Sequence, residues 1–301
     1  MIQREMRYAL VDLANQTWDV KDVLADKFGT WGLFLQELRF WWQIDPTMVV
    51  LTTGILTGTG APGTGAMTWC YLGSDGTVCT AAAEGRLGAY LRYAGVDAIV
   101  FLNKSEHPCS VTVDNGTLEL KDPQTDKLSL LANRKNEDAV IVTVSPEVVA
   151  EDKYFAIAGK DLAMRLLDKG VSEILVETTG TLSVADPVAM ASTCTELWQA
   201  MTSAGRTMLA GRLHPAYFLS LDHVADFQSA SVYESPVASD EDAVFSALGI
   251  IKSRNLTQCD WKQYTAKLIT AFSGETCTAE DIDMLAAYLL QLRQEKVGGD
   301  L

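Results

Sequence analysis

The stretch with residue types fit for binding chemistry is Thr53-Gly-Ile-Leu-Thr-Gly-Thr-Gly-Ala-Pro-Gly-Thr-Gly65, which follows the apolar run Met48 to Leu51. Its glycines, at 54, 58, 60, 63 and 65, tolerate positive φ and carry no bulk, and Pro62 fixes one turn. Successive N–H groups of such a loop can converge on an anion or on the edge of a flat polar cofactor. The backbone of Thr57, Gly58, Thr59, Gly60, Ala61, Gly63 and Gly65 is therefore the candidate binding site.

Two phosphate-binding readings of this loop fail on context. Gly58-Thr-Gly-Ala-Pro-Gly63 satisfies G-x-G-x-x-G, with Glu84 about twenty residues on, as in a dinucleotide fingerprint. That fingerprint must open a helix, whereas Thr68-Trp-Cys-Tyr-Leu72 reads as extended and Glu84 begins a helix instead of ending a strand. A P-loop needs a lysine where Ala66 stands. Nucleophile–base chemistry has no visible carrier: His107, His214 and His223 lie near no nucleophile motif, so the catalytic residues are unknown. The cysteines (Cys70, Cys79, Cys109, Cys194, Cys259, Cys277) are scattered without C-x-x-C, which argues against a local metal or cluster site and for reduced, half-buried thiols.

The elements that must position the loop mix strands and helices. Tyr8 to Leu13 and Thr17 to Val20 read as a hairpin, and Val23 to Trp42 as a helix with Asp45-Pro46 as its stop. After the loop, Met67 to Leu72 and Gly76 to Cys79 read as extended, Glu84 to Ala94 as a helix ending at Gly95, and Ala98 to Leu102 as a buried strand. Asp114-Asn-Gly116 joins Cys109 to Val113 with Thr117 to Leu120 in a hairpin. Ala139 to Val144, Phe155 to Ala158 and Ile174 to Glu177 are further strands, with a helix from Asp161 to Lys169. Asp186-Pro187 opens a helix to about Ala204. Residues 205–238 read as an irregular linker, followed by helices near 240–253, 260–272 and 279–296, the last begun by the capping box Thr278-Ala-Glu-Asp281.

The chain has 301 residues with 48% hydrophobic content, enough for a large core. A formal charge of -15 and pI ≈ 4.6 repel nucleic acid and anionic membranes. No apolar run is long enough to span a bilayer, and the start lacks the apolar core of a signal peptide, so a cytoplasmic location is expected.

Specific residues also resemble a known family. Leu56-Thr-Gly-Thr-Gly-Ala-Pro-Gly-Thr-Gly65, then Glu84-Gly-Arg-Leu-Gly-Ala-Tyr-Leu-Arg-Tyr-Ala-Gly-Val-Asp-Ala-Ile-Val100, is similar to the N-terminal domain of tungsten-containing aldehyde:ferredoxin oxidoreductases. That family's pattern is close to P-L-T-G-T-x-A-P-x-x-G-R and then N-S-G-G-x-x-G-x-x-L-K-x-A-G-Y-D-A-I-V. Lys104 to Pro108, Ala156 to Leu162 and Val184-Ala-Asp-Pro187 continue the likeness, and Ala243 to Ile251 resembles a later D-S-L-G-L-C segment. The resemblance implies an α+β fold: a β-rich N-terminal domain of packed sheets with peripheral helices over 1–204, the linker 205–238, and a helical C-terminal region over 239–301.

The departures decide the functional expectation. The family's loop arginine falls on Ala66, the asparagine near the pterin-bridging ion on Ala82, the pterin-binding aspartate on Ser246 and the fourth cluster cysteine on Ile251. A segment is missing between Lys169 and Glu173, and the C-x-x-C-x-x-x-C ligands have no counterpart. Burying a pterin's charges without partners costs several kcal/mol each in order of magnitude, and a 4Fe–4S cluster needs its thiolates. The expectation is a shortened, catalytically degenerate homologue with no cofactor and no metal, acting as an accessory or assembly subunit with a protein partner or as a homo-oligomer. Two alternatives remain. One is an active oxidoreductase holding tungstopterin or molybdopterin through residues 57–65, with a cluster supplied by a partner. The other is a small-molecule binder lined by Trp69, Tyr71, Arg86 and Tyr90.

Overall fold

The computed structural model describes residues 4–25, 38, 40–83, 85–123, 139–151, 155–203, 240–250, 252 and 259–294. Glu84, the segment 205–238 expected as a linker, and Ile251 lie outside the described residues, as do His214 and His223. The strands are β1 (Arg4–Asp12), β2 (Thr17–Ala25), β3 (Val49–Thr53), β4 (Met67–Leu72), β5 (Val78–Ala83), β6 (Ala98–Leu102), β7 (Cys109–Asp114), β8 (Thr117–Lys121), β9 (Val140–Ser145), β10 (Val148–Glu151), β11 (Phe155–Ala158) and β12 (Val171–Glu177). The helices with printed bounds are α1 (Leu87–Tyr93), α2 (Lys160–Lys169), α3 (Pro187–Ser203), α4 (Asp240–Leu248), α5 (Trp261–Ser273) and α6 (Ala279–Gln294), and residues 40–44 are also helical.

Two six-stranded sheets result, ordered β2-β1-β6-β3-β4-β5 and β11-β10-β9-β12-β7-β8. Pairing is antiparallel except for β1 with β6 and β7 with β12. The central strands β3 and β6 are buried at every position, which is why Val49 to Leu51 and Ala98 to Leu102 read as apolar runs rather than as alternation. Their successive side chains serve two cores. Leu51, Trp69, Ile99 and Phe101 face the second sheet, together with Leu91 of α1 and Leu166 of α2. Val50, Cys70 and Val100 face the other way, onto Phe245, Leu268, Ile269, Phe272 and Leu285 of α4, α5 and α6. The architecture is thus α+β, a sheet-on-sheet sandwich with a helical layer on the outer face of the first sheet. Among the described residues, no helix is long and apolar enough to cross a membrane.

Three expectations shift. The helix expected from Val23 begins later, because β2 continues to Ala25 as the nine-residue partner of β1; Trp42 then joins the outer core at 1% exposure. The helix expected to reach 253 stops at Leu248, where Gly249 turns left-handed at φ 90. Strand β10 was not foreseen, since Val148–Glu151 is short and half-exposed, and it is specified by its partners β9 and β11.

A buried ion pair ties the two sheets. Lys169 Nζ at the end of α2 donates to Asp45 Oδ2 at 2.6 Å and to Thr47 Oγ1 at 2.8 Å. Asp45 also accepts from the backbone N–H of Asn103 and of Thr47. Burial pushes the Asp45 carboxyl up, but the bonds from Lys169, Thr47 and Asn103 outweigh it and hold its pKa below the ordinary value. A depressed folded-state pKa gives stability that is present above the unfolded value and is lost as pH falls through the folded one. Urea unfolding followed between about pH 6 and pH 3 will show stability falling below about pH 4. Asp45→Asn will flatten that slope and, by leaving Lys169 buried and unpaired, cost about 3 kcal/mol at neutral pH.

Candidate functional site

The glycine loop joins β3 to β4, so it opens a strand and not a helix, as its rejection as a dinucleotide fingerprint required. Gly58, Gly60 and Gly63 take φ of 77, 78 and 80, so glycine is required at these turns. Thr57, Gly58, Ala61, Gly63 and Gly65 are buried, Thr59 is half-buried, and Gly60 alone is exposed, with open space where a Cβ would be.

Several of the loop's donors are spent within the loop. Thr57 N–H bonds the Gly54 carbonyl at 3.1 Å, Gly58 N–H bonds that of Thr64 at 2.9 Å, Thr59 N–H that of Leu56, and Thr64 N–H that of Ala61. The fully buried Thr57 hydroxyl closes the base, accepting from Gly54 N–H at 2.8 Å and donating to the Ala66 carbonyl at 2.5 Å. A polar group at 0% exposure needs such partners, because leaving it unpaired costs about 1–3 kcal/mol.

The loop's carbonyls are gathered by α1. Gly88, Ala89, Arg92 and Tyr93 recur at helical spacing and form its loop-facing side. A Cβ on Gly88 would lie 3.0 Å from Thr57 Cγ2, and one on Gly58 would lie 2.9 Å from Ala89 Cα, so backbone meets backbone there. Arg92 Nη1 then reaches the carbonyls of Gly54, Ile55 and Thr57 at 3.2, 2.8 and 2.6 Å. Its Nε lies 3.3 Å from Asp97 Oδ1, and its guanidinium lies over the Phe272 ring of α5, 5.4 Å from the centroid. Tyr93 OH donates to the Gly58 carbonyl at 2.5 Å, and burial pushes its pKa up. Arg92 and Tyr93 were not singled out from sequence; the signal was two small residues followed, one turn later, by two long donors.

The helical layer takes the loop's remaining side. Leu56 N–H donates to the Leu248 carbonyl at 2.9 Å and Ala66 N–H to that of Gly249 at 3.3 Å. Tyr264 OH of α5 donates to the Pro62 carbonyl at 3.1 Å. A Cβ on Gly54 would fall 2.1 Å from Gly249 N, so the two backbones are in contact. The positions where the resemblance places pterin ligands meet at this seam. Ala66 bonds Gly249, Thr68 pairs with Ala82 across β4 and β5, and the Thr68 and Ser246 hydroxyls bond each other at 2.8 Å. None of Ala66, Ala82 or Ser246 carries a charge, and the contact leaves no layer of space for a flat group between loop and helix.

The other candidates are occupied by protein contacts. Trp69 is buried between the sheets and stacks on Tyr71 at 5.0 Å, and Arg165 covers the Tyr71 ring at 3.5 Å. Arg86 pairs with Glu151 at 2.6 Å and lies over Tyr90. Glu151, itself 1% exposed, also accepts from the N–H groups of Arg86 and Leu87, fixing the start of α1 to β10. A groove of about 270 Å³ is lined by α4, α5 and α6 residues, among them Val244, Lys262, Ile282 and Leu290, and by none from the loop. All six cysteines are free, and no cluster of metal-binding side chains occurs among the described residues. Burial pushes the Cys194 thiol up to about 11, and burial with the nearby Asp260 charge does the same for Cys259, so neither is a thiolate at neutral pH.

Because Arg92 ties loop, Asp97 and Phe272 together, Arg92→Ala will lower unfolding stability by about 3 kcal/mol or more in a urea titration, taking the donor from the Ile55 and Thr57 carbonyls and the cation from Asp97 together. Arg92→Lys will recover roughly half of that or less, since a single ammonium cannot reproduce the guanidinium's reach.

Comparison with known proteins follows the same geometry. Residues 8–140 match the model of the aldehyde ferredoxin oxidoreductase N-terminal domain. A tungsten-containing aldehyde ferredoxin oxidoreductase from Pyrococcus horikoshii is 35% identical over 86 residues, which is 27% of this chain and 14% of the relative. The solved structure titled active site complex BamBC of benzoyl coenzyme A reductase, in complex with 1,5-dienoyl-CoA, shares the fold at TM-score 0.55 and 18% identity over 66% of this chain and 34% of that one. The likeness thus spans only a minor part of each of these relatives. Residues 8–140, less than half of the chain, are thus similar to the N-terminal domain of the aldehyde ferredoxin oxidoreductases.

Proposed function

We propose that this protein is a shortened, catalytically degenerate relative of the tungsten-containing aldehyde ferredoxin oxidoreductases that acts as an accessory or assembly subunit, in the cytoplasm. One observation carries the reading. Ala66, Ala82 and Ser246 replace the charged and amide partners a pterin would need, and they meet where the loop's donors already bond the end of α4. A pterin with its phosphate would have to displace those bonds and then lie against alanine and serine, which offer no counter-charge. The residues present do not fit the group, and no reaction step is assigned to it.

An assembly role agrees with the fold. The related reductase structure is titled as an active site complex, so this sandwich is used elsewhere within a multi-subunit enzyme. A domain that keeps its fold after losing its cage can still present the surface through which such enzymes associate.

Elemental analysis of the purified chain for tungsten, molybdenum and iron will find none at stoichiometric level. Affinity purification of the tagged chain from its own cells will recover a full-length oxidoreductase relative carrying its own metal. Stoichiometric metal with cluster absorbance on the isolated chain would overturn the degenerate reading. Recovery of this chain alone would overturn the accessory role.

A further inference from the structure

We propose that the glycine loop works as an intramolecular docking socket for the C-terminal end of α4, and that this contact holds the helical layer on the sheet in place of a buried cofactor. The inference deepens the reading of the chain as cofactor-free. Four bonds and one close approach compose the socket. Leu56 and Ala66 donate backbone N–H groups to the carbonyls of Leu248 and Gly249, Thr68 bonds Ser246, Tyr264 bonds the Pro62 carbonyl, and Gly54 touches the backbone of Gly249.

The polarity explains why a helix end fits there. The last carbonyls of a helix have no partners within it and carry partial negative charge. Gly249, at φ 90, ends α4 with its N–H on the Ser246 carbonyl, while Ile250 N–H bonds that of Phe245. The carbonyls of Leu248 and Gly249 are thereby presented outward to the loop. A glycine-rich loop whose N–H groups suit an anion accepts the same sign of charge from a helix C-terminus. Glycine at both 54 and 249 is then required by contact: a Cβ on Gly249 would lie 2.5 Å from Thr57 N, as one on Gly54 would collide with Gly249.

Hydrogen exchange on the full-length chain reads the socket directly. In the wild-type protein the amides of Leu56 and Ala66 will be protected. Tyr264→Phe removes one hydroxyl, and Ser246→Asp places a carboxylate against the Thr68 hydroxyl. Each will speed exchange at Leu56 and Ala66 by about tenfold, while Ile99 and Val100 at the centre of the sheet keep their protection. Molybdopterin added to either protein, followed by its fluorescence, will not be retained. Free exchange at Leu56 and Ala66 in the wild type, or no response to either variant, would overturn the socket and leave the accessory role to the metal and partner measurements. Pterin retained by Ser246→Asp with both amides still protected would overturn it as well, because the space would then be open. Metal on the wild-type chain with the amides protected and variant-sensitive would instead sink the cofactor-free reading and leave the socket standing.

Discussion

The Arg92 guanidinium is the interaction on which the rest of the arrangement depends. It is nearly fully buried in a chain of net charge -15, and burying a charge is tolerable only where hydrogen bonds and a counter-charge surround it. The carbonyls of Gly54, Ile55 and Thr57 and the Asp97 carboxylate supply these, and the Phe272 ring covers one face. That set spans the loop, the turn before β6 and helix α5. The cation therefore links the loop and the first sheet to the helical layer, and a change in the loop's shape would take away its carbonyl partners.

From that anchor the layering follows. The first sheet is buried on both faces, so its central strands serve two cores at once. Glu151 and Lys169 do at the sandwich what Arg92 does at the helical layer. Each is a buried ionic group whose partner lies on a distant segment: Arg86 at the start of α1 for Glu151, and Asp45 before β3 for Lys169. Such pairs add little net stability compared with apolar packing, but any misplacement of one layer strands a charge. They favour one register of layers over the alternatives.

Much of this could be read from the sequence where local rules apply. The apolar run at Ala98 to Leu102, the Asn115-Gly116 hairpin and the Pro187 and Thr278 helix starts each rest on nearest-neighbour physics, and each falls where local pattern places it. The end of β2 and the existence of β10 are set by pairing with the adjacent hairpin strands β1, β9 and β11 and not by their own residue pattern, so helical spacing after Val23 misled and a short half-exposed strand gave no signal. At the candidate site the loop was legible because glycine, proline and threonine cluster there. Its partners were not: Arg92 and Tyr93 were not singled out, and Tyr264 lies 202 residues from the Pro62 carbonyl it bonds. The convergence of Ala66, Ala82 and Ser246 emerges only when β4, β5 and α4 are assembled.

That convergence bears on what a retained glycine motif means. Gly54 and Gly249 are in mutual backbone contact, Gly58 abuts Ala89 with positive φ, Gly88 abuts Thr57 and Met67, and Gly63 turns left-handed. Each of these glycines is accounted for by a close approach or a dihedral angle within the chain itself. No ligand is needed to explain why the pattern persists. A side chain that only contacts a ligand loses its constraint when the ligand goes, and alanine or serine can fill its place, which is the history proposed above for positions 66, 82 and 246. A glycine that lets two backbones meet keeps its constraint for as long as the fold does. The motif and its chemistry are separable because one is held by sterics and the other by charge.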